Sequence, residues 1–208
     1  ESVRNQAKFI IGVYCRLAHS CINSQNYSVA ETALELACKI LYEFRDVESV
    51  RNQAKFIIGV YCRLAHSYID SQNYLRAKST LRQARVILHC FRDVESARNK
   101  AAQVIGRYTR LASAYIESGN YRRAEAALRT GRSMLYSILR DFPELESVRN
   151  ESKFFIAEYS HLARSYFREL KDYPKAEAAL KKACSILSDF RDNELAREEA
   201  QFIIGVYN

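Results

Sequence analysis

Two arrangements of side chains in this sequence have the types and spacing to do chemistry. Arginine recurs at 47-residue intervals as Arg16, Arg63 and Arg110. Cysteine and histidine recur four residues apart, as Cys15 with His19 and again as Cys62 with His66. A guanidinium is a planar fork of donors that pairs with carboxylate or phosphate, so arginines in register would make an anion-binding wall. A cysteine and a histidine four apart share one helix face. Two such pairs on adjacent helices contain the ligand types of a tetrahedral zinc site. Neighbouring helices lie ~10 Å apart, which stretches that geometry. Both pairs also fall inside a block that the chain repeats verbatim, so their recurrence needs no metal to explain it. No metal or other cofactor is therefore expected. There is also no phosphate-cradling glycine loop, HExxH or GxSxG, and no histidine has a carboxylate at a catalytic spacing. The sequence reads as non-catalytic.

The elements that must position these residues follow from the repeat. Residues 1–20 and 48–67 are identical, and Tyr14, Tyr61, Tyr108, Tyr159 and Tyr207 stand at equivalent positions. Self-similarity on this scale marks a repeat architecture. The units are residues 1–47, 48–94, 95–145 and 146–193, followed by a partial fifth over 194–208. In the second unit Val50, Ala54, Ile57, Ile58, Tyr61, Leu64, Ala65 and Tyr68 recur at three- and four-residue steps, one face of a helix. Asp46, and its counterparts Asp93 and Asp192, read as N-caps. A break at "DSQN" precedes a second amphipathic stretch from Tyr74 to Phe91; in the third unit the break is "ESGN", with Gly119 suited to a helix C-terminus. Each unit thus predicts a hairpin, with a first helix of ~22–24 residues and a second of ~16–20. One hairpin cannot bury two apolar stripes, whereas stacked copies cover one another. The expected fold is an all-α, right-handed α-solenoid of four hairpins and a terminal helix, forming a single domain. Six glycines and two prolines in 208 residues agree with helix over sheet.

The residues at these positions resemble the tetratricopeptide repeat family. The second unit reads Tyr61-x-x-Leu64-Ala65-x-x-Tyr68, then Tyr74-x-x-Ala77-x-x-x-Leu81-x-x-Ala84. The third repeats this with Tyr108, Leu111, Ala112, Tyr115, Tyr121, Ala124, Leu128 and Gly131; the fourth does so with Tyr159, Leu162, Ala163, Tyr166, Tyr173, Ala176, Leu180 and Ala183. The first has Cys21 at the second aromatic position. The period of 47 or more exceeds the family's usual 34, and the proline after the second helix is absent. The extra residues lengthen chiefly the start of the first helix.

The resemblance implies a concave groove lined by first helices, where a partner peptide or helix lies. Transferred position by position, the lining residues are Arg16, His19 and Ile22; Arg63, His66 and Ile69; Arg110 and Ile116; and His161 and Arg164. The expected function is a protein–protein interaction scaffold whose arginines favour an acidic peptide. A clamp for chaperone tails is not implied, because Cys15, Cys62, His19 and His66 occupy positions where it needs lysine and asparagine. A second reading is a structural or engineered repeat array that associates head to tail, with Phe202 and Ile203 at its exposed end. The net charge of +8 is concentrated on the second helices of units two and three, for example Arg76, Lys78, Arg82 and Arg85. That ridge would be convex; no RNA-reading pattern accompanies it, so a solvated face is expected over nucleic-acid binding. No 18-residue apolar run or secretory signal is present, so no membrane partner is expected. Six cysteines without a CxxC pair suggest a reduced, cytoplasmic protein.

Overall fold

The computed structural model describes residues 2–192. The terminal helix expected over 194–208, with Phe202 and Ile203, lies outside them. The described residues are helical hairpins joined by short turns, with no strand among them. The first hairpin pairs α1 (Ser2–Asn23) with α2 (Tyr27–Glu43). The second has a one-turn helix α3 (Glu48–Arg51), then α4 (Ala54–Asp70) and α5 (Tyr74–Cys90). The third repeats this as α6 (Glu95–Arg98), α7 (Ala101–Glu117) and α8 (Tyr121–Asp141), and the fourth as α9 (Glu146–Arg149), α10 (Ser152–Arg168) and α11 (Tyr173–Asp189). The chain forms two compact units, Glu1–Arg107 and Tyr108–Asn208, and the division falls within α7.

The single long first helix expected of each repeat occurs only as α1. In the second repeat the same residues tighten after one turn. The amide of Gln53 bonds the carbonyl of Val50 at 2.8 Å and that of Phe56 bonds Gln53 at 3.0 Å, three residues back instead of four. The two segments are identical in sequence, so local propensity does not make the difference. Only the second copy has neighbours on both sides. Val50 is fully buried, Arg51 pairs with Asp93, and Asn52 accepts a hydrogen bond from Ser96 at 3.2 Å. Asp93 is therefore not the N-cap that its position suggested. Val94 occupies the N-cap of α6, and Val47, not Asp46, that of α3. Asp93 faces the Arg51 guanidinium, which holds its carboxyl below the ordinary value. Asp192 closes the described residues, and the helix it was expected to cap lies beyond them.

The turn between the paired helices has a common construction. In the first three hairpins, the amides of Gln25, Gln72 and Gly119 bond the carbonyl three residues back. The amides of Asn26, Asn73 and Asn120 bond the carbonyl five back. This is the Schellman termination, which requires a left-handed residue. Gly119 takes it at φ 72°, but Gln25 and Gln72 do so with side chains at 60° and 59°. The extra residue of the fourth turn is absorbed at Lys171, φ 54°, where the amide of Asp172 reaches Tyr166, six residues back. Asn73 and Asp172 then cap α5 and α11 by accepting from the amides of Arg76 and Lys175.

Within the first unit, the face that each first helix turns toward the preceding hairpin sets its burial. Ile57 and Leu64 on α4 are fully buried against the first hairpin. Their counterparts Ile10 and Leu17 on α1, in the identical sequence, are 39% and 44% exposed. Polar contacts reinforce the seam: Tyr68 donates to Glu31 at 2.9 Å, and Arg76 pairs with the same carboxylate at 2.6 Å. Within the second unit the corresponding acid, Glu125 on α8, pairs with Lys182 of α11 at 2.5 Å. Gly131 permits a close approach there, since a methyl group added at its Cα would come within 2.8 Å of the buried Phe155 ring.

Candidate functional site

The first unit contains a trough between successive first helices, made of two hollows. The larger, of about 1110 Å³, lies between α1 and the α3–α4 segment; Lys8, Arg16 and His19 form one wall and Lys55 and Phe56 the other. The smaller, of about 610 Å³, lies between α4 and the start of α7, where Arg63 and His66 face Lys100 and Arg107. His19, Lys55, Phe56 and Val60 border both hollows, so the two share a wall. No carboxylate is present among the described residues lining either one.

The helical repeat places these groups. Arg16 and Arg63 are both exposed at the same register on adjacent first helices, as their 47-residue spacing required. The tightened turn before α4 brings Ser49, Asn52 and Gln53 into the wall, so the long repeat period itself builds part of the site. The floor of the smaller hollow is open, because a Cβ added at Gly59 would meet no atom within 4 Å. Phe56 is 49% exposed beside both hollows, with the Lys55 ammonium 5.0 Å from its ring centre. This gives an apolar surface among the cations.

His19 and Arg63 are in direct contact. Arg63 Nη1 lies 3.2 Å from His19 Nδ1 and within reach of Nε2. An arginine only donates, so the ring nitrogen it meets must accept. His66 has its Nε2 3.5 Å from the Asp70 carboxylate. Arg107 Nε is buried without a hydrogen-bond partner among the described residues, a donor directed to the side of the trough where no acid stands.

The other sequence-derived positions separate. Ile22 and Ile69, expected as groove contacts, are buried at 4% and 6% exposure. They close the interior of the hairpin next to the Schellman turn and present no surface to a partner. Arg110, Ile116, His161 and Arg164 belong to the second unit. Arg110 is exposed there and the other three are half-buried, with His161 3.7 Å from Glu158. Cys15 and Cys62 are buried, and burial pushes both thiols up to about 12, which disfavours the thiolate that zinc needs. Among the described residues no group of three or more metal-ligating side chains is placed to hold an ion. No described helix is long and apolar enough to cross a membrane.

The motif positions did not indicate Lys8, Lys55, Lys100, Arg107 or Phe56. Two signals in the sequence pointed to them. Lys8 and Lys55 share a register two turns before Arg16 and Arg63, and Arg107 replaces the valine found at Val13 and Val60.

The tetratricopeptide repeat family profile matches residues 11–40, 58–84 and 105–131, each spanning parts of both helices of one hairpin. No curated protein sequence matches the chain. Repeats of this family generally mediate protein–protein interaction, typically as non-catalytic scaffolds. Hairpin after hairpin with the aromatic-Leu-Ala-aromatic first helix, three of them matched by the profile, establishes that the chain belongs to the tetratricopeptide repeat family.

Proposed function

We propose that the chain is a non-catalytic scaffold whose first-unit trough binds an acidic peptide segment of a protein partner. The observation that carries this is the charge of the trough: both hollows are bordered by lysine, arginine and histidine, with no carboxylate between them. Arg16 and Arg63 supply paired donors for carboxylates, and His19, His66 and the open floor at Gly59 border the path of the peptide backbone. Ile22 and Ile69 are not part of this reading. Arg110, Ile116, His161 and Arg164 are proposed as further contacts for a partner that also reaches the second unit. Six free cysteines, two of them exposed, favour a reducing, cytoplasmic setting.

The test is fluorescence anisotropy with a labelled acidic peptide at low salt. Reversing Arg16 and Arg63 to Glu should weaken binding by at least about tenfold, since each reversal turns an attraction into a repulsion across the trough. The matching reversal of Arg82 and Arg85 on α5 should change it little. Equal losses from both pairs would show that the protein binds acids through its net charge and not through a site.

A second reading rests on a different observation. The exposed stripe of Ile10 and Leu17 has the sequence of a stripe that accepts a hairpin elsewhere in this chain. On this reading the α1 face also seats a hairpin from a second copy. Light scattering over a hundredfold concentration range decides it, and a constant mass near 24.0 kDa sets it aside.

A further inference from the structure

The inference rests on the anion-binding reading of the trough and concerns what controls it. His19 is the only titratable group near neutral pH that borders both hollows. Its contact with Arg63 holds only while the imidazole is neutral, because an imidazolium has no lone pair to offer a guanidinium. Protonation would therefore release Arg63 and add a charge at the shared wall.

The groups facing His19 are cationic or titrate to cations. From its own helix come Lys8 and Arg16, from α4 Lys55 and His66, and from the start of α7 Lys100 and Arg107. The acid printed against these groups, Asp70, is directed to His66. An imidazolium at His19 is thus disfavoured in the empty trough and favoured once a carboxylate arrives. Binding and proton uptake are thermodynamically linked, each strengthening the other.

We propose that the two hollows act as one site for a segment bearing two carboxylates, one beside Arg16 and the other beside Arg63, and that His19 takes up a proton as the segment binds. Packed helices stand ~10 Å apart. A polyproline II segment rises 3.1 Å per residue with three residues per turn, so carboxylates three positions apart lie on one side at about 9 Å. That spacing matches one step between first helices. Affinity rises as pH falls through the histidine range near 6.5, because the bound state holds the proton more tightly than the free one.

The experiment is titration calorimetry of the full chain with the blocked peptide Glu-Pro-Pro-Glu, at low salt, in buffers of different ionisation enthalpy. Between about pH 8 and pH 6, binding should tighten roughly fivefold or more, with net proton uptake. The peptide Glu-Pro-Pro-Gln should bind about tenfold more weakly, having lost one charge-assisted contact. His19→Gln should keep the affinity seen at high pH and lose the pH response, whereas His66→Gln should keep that response. The proton count on the unmodified chain gives the same information without any variant. Binding without proton uptake, equal affinity for the two peptides, or a pH response that follows His66 overturns the proposal and leaves the acidic-peptide reading standing. No binding of either peptide at either pH overturns both.

Discussion

Leu17 and Leu64 are the same residue in the same twenty-residue sequence, so any difference in the cost of removing them comes from tertiary structure alone. Leu64 is fully buried between the first two hairpins, and Leu17 is 44% exposed on α1. Truncating a buried leucine to alanine forfeits the transfer free energy and leaves a cavity, together about 2–5 kcal/mol. At Leu17 only part of the transfer term is at stake and water fills the space, so Leu17→Ala should cost under about 1 kcal/mol. Ile57→Ala and Ile10→Ala form a second matched pair with the same ordering. The measurement is urea denaturation followed by far-UV circular dichroism, comparing midpoints within each pair at one protein concentration. Repeat arrays can unfold by parts, so the first transition is the one to compare. If Leu17→Ala costs as much as Leu64→Ala, the α1 face is covered in solution and the assignment of its exposure is wrong. A penalty at Leu17 that grows with protein concentration would identify a second copy as the cover.

Other consequences can be checked separately. Gln72 sits at φ 59° in the Schellman turn, so Gln72→Gly should raise stability by roughly 0.5–1 kcal/mol in the same denaturation assay, after allowing for the entropy of glycine. Gly131→Ala drives a methyl group into the buried Phe155 ring and should destabilise by about 1–3 kcal/mol despite the better helix propensity of alanine. The Cys62 thiol, ordinarily near 9.0, is held at about 12 by burial, so folding keeps it protonated while the unfolded chain ionises. Its stabilising contribution is present below pH 9.0 and is lost as pH rises toward 12; Cys62→Ala should reduce the alkaline fall in stability. Alkylation of the native protein at mildly alkaline pH should label the exposed Cys90 and Cys184 well before the buried Cys15 and Cys62, as read by peptide mass.

The repeat, the two-helix unit and its family signature were legible in the sequence because they depend on local periodicity. An apolar residue every three or four positions specifies a helix and its buried side wherever the chain runs. The register of Arg16 with Arg63 was legible for the same reason, being set by the repeat length. Four features were not. The tightened turn before α4, absent from the same residues in α1, is set by what Val50, Arg51 and Asn52 touch in neighbouring repeats. Ile22 and Ile69 have the spacing of groove residues but pack inward, because the Schellman turn folds the second helix over them. The N-cap at Asp93 gave way to an ion pair with an arginine 42 residues earlier. The trough itself joins Lys8, Lys55, Lys100 and Arg107 from three helices, and no local pattern connects them. Periodicity along one helix determines which side of it is apolar. Which neighbour covers that side, and which charges it brings, depends on groups tens of residues away, and only the packed structure decides it.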